Sequence, residues 1–351
     1  KFIMAYTDID KPSDYFNTVL YSGDGGTQSV TGVGFQPDWS WLKCRSTAYH
    51  HRLFDVVRGA GKNLRSDTTD AEQTVDEGIT AFNSNGFSVK QGSTLEYNAS
   101  GQTYVSWNWK AGGSASSNSN GSITSSVSAN TDAGFSIVSF TGNATAGATI
   151  GHGLGSVPSL ILTKNRDSAY NWHLWTHAFS SYNDTIQLNT TAAKDTGTLL
   201  NNTAPTSSLI TLGNSAVLNA SGEKIIAYVF AEKQGFSKAF SYTGNGNSDG
   251  SYCHLGFKAS FILGKNSANG SENWFTFDNK RDSYNTVYKN LAPNSSVVEG
   301  TNTSQNIDIL SNGFKCRSAE TRFNGSGNKI IGIAFAENPF VSSTGVPACA
   351  R

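Results

Sequence analysis

Asn98-Ala-Ser-Gly101 recurs as Asn219-Ala-Ser-Gly222 and again as Asn324-Gly-Ser-Gly327, so the chain carries three copies of one unit. Each motif is followed by an apolar run that ends in an aromatic residue: Trp109, Phe230 and Phe335. Upstream, Tyr21-Ser-Gly23, Phe140-Thr-Gly142 and Tyr242-Thr-Gly244 each close a strand-like run in a glycine turn. Between these landmarks, Lys43 to Phe54 lies over Lys164 to Trp175. Copy three opens the same block with Lys265-Asn266 and closes it with Trp274-Phe-Thr-Phe-Asp278. Ser84-Asn-Gly-Phe87 returns as Ser311-Asn-Gly-Phe314, a hairpin-turn signature that copy two lacks.

Solenoid repeats of about 20 to 45 residues cannot fold alone, whereas a unit of about 100 residues is long enough to own a core. The unit is all-β by composition. One Met and few charged helix formers stand against many Val, Ile, Thr and aromatic residues, with Gly, Asn and Ser at the turns. No window keeps a helical period beyond two turns, Asp70 to Phe82 being the best short candidate. The expected architecture is therefore all-β, with three tandem β-sandwich (jelly-roll-like) domains at 1–111, 134–234 and 235–340. A Gly/Ser/Asn-rich linker and lead-in occupies 112–133 and a C-terminal tail 341–351. Gly112 to Asn120 has the composition of a flexible tether, while Lys233-Gln-Gly235 is short enough to fix copies two and three relative to each other.

Lys plus Arg and Asp plus Glu are both 26, which leaves no basic excess to meet phosphates and argues against a nucleic-acid partner. No apolar run approaches the roughly 18 residues of a membrane-spanning helix, and the N-terminus lacks a complete secretory signal pattern. Low net charge with 11% aromatics is the signature of a folded chain.

Positions shared by all copies read as scaffold, because three identical sites in so divergent a set would be unusual. Tyr21/Phe140/Tyr242 and Trp109/Phe230/Phe335 are thus core anchors. Trp107 and Trp109 alternate onto one strand face, a buried face in the first reading and a sugar-stacking platform in the second. No nucleophile elbow, Walker loop or zincin helix is present, and Gly151-His-Gly-Leu-Gly155 reads as a turn. His173 and His177 lack a third ligand nearby and read as a surface pair, and His50-His51 offers no metal set either. Sparse carboxylates offer no recognisable glycosidase pair. Cys44, Cys253, Cys316 and Cys349 occupy non-equivalent places and read as free thiols. The expectation is a non-enzymatic protein with no cofactor and no metal.

Tyr15-Phe-Asn-Thr-Val-Leu-Tyr21, Val30-Thr-Gly-Val-Gly-Phe-Gln-Pro-Asp38 and Tyr104-Val-Ser-Trp-Asn-Trp-Lys110 resemble an uncharacterised repeat domain of tailed-phage, often marine-phage, virion structural proteins. The ending Asn338-Pro-Phe-Val-Ser-Ser-Thr-Gly-Val-Pro347 and Ala350-Arg351 are similar to the ends of such proteins, and a start near Met4 is typical of them. The resemblance is strongest in copy one and the tail. It implies a virion structural protein made in the host cytoplasm without a signal peptide: a tail fibre or tail-attached adhesin that binds a host surface glycan or protein. Its partners would be other virion proteins, and phage fibres commonly form homo-oligomers, often trimers. The alternative is a capsid decoration, cement or head-fibre protein, with the three copies approximating a local three-fold site. A third class, a virion polysaccharide depolymerase, needs a carboxylate pair in a groove, and a bacterial surface lectin is a fourth. Ligand contacts are expected where the copies differ: Tyr49, His50 and His51; Trp172, Trp175 and Tyr182; and Asn245 and Tyr252.

Overall fold

The structure, a computed structural model, describes residues 6–349. The Met4 start and the Ala350-Arg351 ending lie outside them. Copy one supplies β1 (Phe16–Ser22), β2 (Thr27–Thr31), β3 (Trp39–Cys44), β4 (Arg52–Asp55), β5 (Lys62–Asn63), β6 (Gln73–Thr74), β7 (Gly78–Asn83), β8 (Gly86–Lys90) and β9 (Thr103–Trp109). Copy two, with its lead-in, supplies β10 (Ser116–Asn118), β11 (Ser125–Asn130), β12 (Phe135–Thr141), β13 (Thr149–Gly151), β14 (Leu160–Asn165), β15 (His173–Thr176), β16 (Asp184–Gln187), β17 (Asp195–Thr196), β18 (Leu209–Thr211) and β19 (Lys224–Phe230). Copy three supplies β20 (Ser237–Thr243), β21 (Tyr252–His254), β22 (Phe257–Asn266), β23 (Phe275–Asp278), β24 (Ile307–Leu310), β25 (Gly313–Cys316) and β26 (Lys329–Pro339). Two one-turn helices, α1 (Ala216–Asn219) and α2 (Thr321–Asn324), each end on the repeated Asn. The fold is all-β.

Asp70 to Phe82 is not helical. β6 pairs with β5 and β7 pairs with β8, because burying Ile79 against Phe54 and Phe87 outweighs a weak local period. Gly112 to Asn120, a tether by composition, is held in place: β10 pairs with β11, and the Gly112 and Gly113 amides donate to Ser128 Oγ and Asp38 Oδ2.

One strand order occurs three times. The inner sheets run β1-β9-β3-β4, β12-β19-β14-β15 and β20-β26-β22-β23, the second extended by β10-β11 on one side and β16-β17 on the other. Outer sheets β2-β8-β7, β13-β18 and β21-β25-β24 accompany them, giving sandwich-like lobes. Copy two, without the hairpin signature, has no counterpart of β7 or β24. Register makes the copies equivalent residue by residue: Trp39 lies opposite Trp109, Leu160 opposite Phe230, and Phe261 opposite Phe335.

The inner sheets are buried on both faces, which is why β14 and β19 read as continuous apolar runs rather than alternating ones. In copy one the pleat sends Trp41 to the side facing the other lobes and Leu42 to its own outer sheet. The inward faces of all three lobes merge into one buried cluster. At its centre, Phe335 meets both Trp109 and Phe230 at 5.7 Å between ring centroids, and Trp39 lies 4.3 Å from Trp109. The apolar void they surround is only about 10 Å³, no larger than one water. Trp107 and Trp109 are therefore core residues.

The two most repeated motifs bond to each other. Asn98, Asn219 and Asn324 are fully buried, and their Oδ1 atoms accept from the amides of Asp24, Asn143 and Asn245, one residue past each glycine turn. Their Nδ2 groups donate to carbonyls of the same turns, at Gly26, Thr145 and Asn247. The glycines follow from this closeness. A Cβ on Gly23, Gly142 or Gly244 would lie 2.1, 2.4 or 2.3 Å from the carbonyl oxygen of Ala99, Ala220 or Gly325. Lys43, Lys164 and Lys265 are a second shared device. Each buried ammonium donates to the carbonyl of the next residue, and burial pulls each down to about 8.

The lobes close into a ring. Trp172 Nε1 of copy two donates to Arg65 O of copy one at 2.7 Å, Trp274 Nε1 of copy three donates to Gln187 O of copy two at 2.9 Å, and Ser66 Oγ of copy one donates to Pro293 O of copy three at 2.6 Å. His51, in the register position of Trp172, is wholly buried, and its Nδ1 accepts a hydrogen bond from Trp41 Nε1. That bond requires a neutral imidazole, and burial together with Lys43 pushes its pKa down to about 3.

Two outcomes follow from this packing. Replacing Asn219 with Ala leaves buried amide and carbonyl groups unpaired and is expected to cost about 2 to 4 kcal/mol in urea unfolding; a loss below about 0.5 kcal/mol would show that the clamp is not structural. Because His51 stays neutral in the fold while the unfolded chain protonates near 6.5, its contribution is present above pH 6.5 and is lost as pH falls towards about 3. Relative to wild type, His51→Gln should flatten the decline of stability between pH 6 and 4 by about 1.4 kcal/mol per pH unit, and an unchanged slope would contradict the assignment.

Candidate functional site

Two of the three seams are stapled by the same network. At the seam of copies one and two, Asp55 accepts from Arg58 Nε and Tyr228 Oη, Arg58 reaches Glu72, and Glu72 accepts two bonds from Arg166, at 2.8 and 2.9 Å. At the seam of copies three and one, Asp278 accepts from Arg281 Nε and Trp107 Nε1, Arg281 reaches Glu299, and Glu299 accepts two bonds from Arg45, both 2.9 Å. Burial works to raise the Asp278 carboxyl, but attraction to Arg281 together with the hydrogen bonds from Arg281 and Trp107 holds it below its ordinary range. The seam of copies two and three has Thr176, Phe179, Lys194 and Ser267 at the corresponding places. Only the backbone bond survives, Lys194 N to Ser267 O at 2.8 Å, matching Glu72 N to Arg166 O and Glu299 N to Arg45 O.

At that unstapled seam, besides the Trp274 bond and Lys329 Nζ donating to Ala178 O, His177 and Glu232 meet copy three. Glu232 Oε1 accepts from the Ala239 amide at 3.1 Å, and His177 Nε2 sits 3.3 Å from Ala239 O and 3.2 Å from Glu232 Oε1. The pair occupies the edge of β20, and its hydrogen bond raises the His177 pKa above the ordinary imidazole value. Beside it opens a cleft of about 270 Å³ lined by Trp175, Tyr182, Val157, Pro158, Pro205 and the His177–Glu232 pair. Trp175 is 3% exposed and Tyr182 40% exposed; their rings stack 6.0 Å apart and 28° from parallel. Val157 is 57% exposed at the rim.

The missing hairpin explains the cleft. Trp175 occupies the register position of Phe54 in copy one and Phe277 in copy three. Phe54 packs with Ile79, Phe87 and Tyr97 in copy one's sandwich, and Phe277 lies edge-on to Phe323. Copy two has no strand equivalent to β7, so Trp175 is flanked by Tyr182 and the Ala204-Pro205 loop instead.

The sequence candidates are thus distributed unevenly. Trp175 and Tyr182 come together in the cleft. Trp172 and His51 are fully buried at lobe seams and cannot meet a ligand, because the ring closure that sequence periodicity does not show covers them. His50 is partly buried and paired with Asp67 at 2.7 Å, and Tyr49 is half-buried beside it. Asn245 is exposed in the turn clamped by Asn324, and Tyr252, 43% exposed, bonds His254 on β21 and Asn312 O; neither lines the cleft. His173 meets Thr185 while His177 meets Glu232, so the two histidines do not converge. Glu232, Pro158 and Pro205 were absent from the sequence candidates. Glu232 carried no distinguishing signal, since copy three has Glu337 at the same place two residues past its anchor Phe335.

Chemically, the cleft offers an aromatic and proline wall beside one hydrogen-bonding pair. Glu232 is its one lining carboxylate, whereas glycoside hydrolysis uses two. Among the described residues no three His, Cys, Asp or Glu side chains are placed to hold a metal ion, and no helix is long and apolar enough to cross a membrane. Without an ion-pair staple, the amides of residues 175–182 and of β20 should exchange with deuterium about tenfold faster than those around Arg166 and Arg45. Equal protection at the three seams would refute this ranking.

A family model described as a domain of unknown function (DUF7483) matches residues 11–339. No curated protein and no solved structure matches the chain.

Proposed function

The chain belongs to the DUF7483 family, and we propose that it is a tailed-phage virion structural protein, a tail fibre or tail-attached adhesin that binds the host surface. The observation that carries this reading is an aromatic cleft opening at the perimeter of a closed, densely packed body, in a segment that copies one and three do not share. A rigid body with a solvent-facing ring suits recognition by a protein that must keep its shape outside a cell, since preorganised contacts lose little entropy on binding. The segments that resemble phage virion proteins support the same reading, and they form scaffold: Tyr15 to Tyr21 takes in most of β1 and Tyr104 to Lys110 most of β9, which pair with each other. Its partners would be other virion proteins and a host glycan or surface protein, with self-association into a homo-oligomer such as a trimer.

A second reading has its own observation. Three sheets of one strand order, closed around shared aromatic anchors, approximate a three-fold object. Such a body fits a capsid decoration or cement role at a local three-fold site. A depolymerase draws no support from the cleft, which has a single carboxylate.

Gold-labelled antibody against the chain, applied to phage particles and imaged by electron microscopy, separates these readings. Gold at the tail is the expected result. Gold across the head transfers the assignment to the decoration role, and particles without gold overturn both.

A further inference from the structure

We propose that the cleft at Trp175 and Tyr182 takes one uncharged pyranose residue, such as a terminal or branching hexose or N-acetylhexosamine, and excludes carboxylated or sulfated sugars. The assignment rests on the adhesin reading for its biological setting, but its chemistry follows from the cleft itself.

Size comes first. About 270 Å³ lies just under the usual 300 to 1,000 Å³ of small-molecule sites, which suits a single ring rather than a run of a chain. Shape comes next. Tyr182 stacks on the nearly buried Trp175, so a flat ring is held in place at the solvent boundary without ordering a mobile side chain when a ligand arrives. The C–H face of a pyranose packs on such a ring, and Pro158, Pro205 and Val157 continue the apolar wall.

Charge decides the class. No Lys or Arg lines the cleft, so an anionic sugar would meet Glu232 without a fixed cation other than His177. His177 is already committed to Glu232 at 3.2 Å. Sugar hydroxyls, by contrast, can donate to the carboxylate without bringing a second negative charge beside it. The polar pair also disfavours an apolar peptide side chain, which would cover Glu232 and His177 and return no hydrogen bond.

The test uses the whole purified chain and a panel of methyl glycosides: glucose, galactose, mannose and their N-acetylamino forms, with glucuronate and a sialoside as anionic members. Saturation-transfer NMR reports contact, and tryptophan fluorescence titration reports affinity. At least one neutral glycoside should bind saturably, in the ~millimolar range typical of one small ring. Tyr182→Ala should weaken it at least about tenfold, and Tyr182→Phe should retain most of it. Tyr182 is a surface residue, so an unchanged unfolding midpoint verifies that the variant is folded. Binding confined to the anionic members, neutral binding indifferent to Tyr182→Ala, or no binding at all would each overturn the proposal. Adherence of the labelled chain to host cells separates this failure from that of the adhesin reading. Adherence that survives Tyr182→Ala sinks only the cleft assignment, whereas absence of adherence sinks the adhesin role even if a free glycoside binds.

Discussion

Everything in this protein depends on three inner sheets that must bury both faces. One face of each is covered by its own outer sheet, and the other can be covered only by the neighbouring lobes. Trp109, Phe230 and Phe335 are the visible consequence, since aromatic anchors at the same register position of three strands converge on one point. At about 25 cal/mol per Å² of apolar surface removed from water, aromatic side chains of this size dominate the stabilisation. A lobe cut away from the ring would expose this face, because one buried cluster runs through all three copies while copy one keeps a second between its own two sheets.

Around that core the repetition is used in two ways. Where a device is local, all copies keep it: the buried Asn clamping a glycine turn, and the buried Lys holding the carbonyl of the residue after it. Both tie together backbone groups that the chain cannot leave unpaired in the interior. Where a device spans two lobes, the copies diverge. Two seams carry an Asp–Arg–Glu–Arg network, and the third has Thr176, Phe179, Lys194 and Ser267 in its place. Buried ion pairs of this kind confer geometry more than net stability, because desolvation offsets much of the attraction. Their loss at one seam therefore removes a constraint without dismantling the ring, and that seam is where the cleft opens.

Much of the scaffold was legible in the sequence. The repeat landmarks coincide with strand register: Lys43 to Phe54 and Lys164 to Trp175 superpose as pairs of strands joined by one turn, and the absent hairpin signature of copy two corresponds to its two-stranded outer sheet. The site was legible only in part. Trp175 and Tyr182 stood out as aromatics in a variable segment, but Trp172 stood out equally and is buried at a seam, because sequence distinguishes an aromatic residue from a polar one and not an exposed aromatic from a covered one.

Local chemistry is what the amino-acid order determined by itself: β-branched and aromatic runs make strands, glycine permits the close turn, and a buried Asn satisfies it. These choices involve neighbours in the chain or a motif repeated often enough to be noticed. Only the tertiary structure decided that the copies close on one another, which seam lacks its staple, and that Pro205 and Glu232 come to lie beside Trp175. Those outcomes depend on pairings between residues far apart in the chain, where the free energy comes from shared burial, and no local period carries a record of which surfaces will share it.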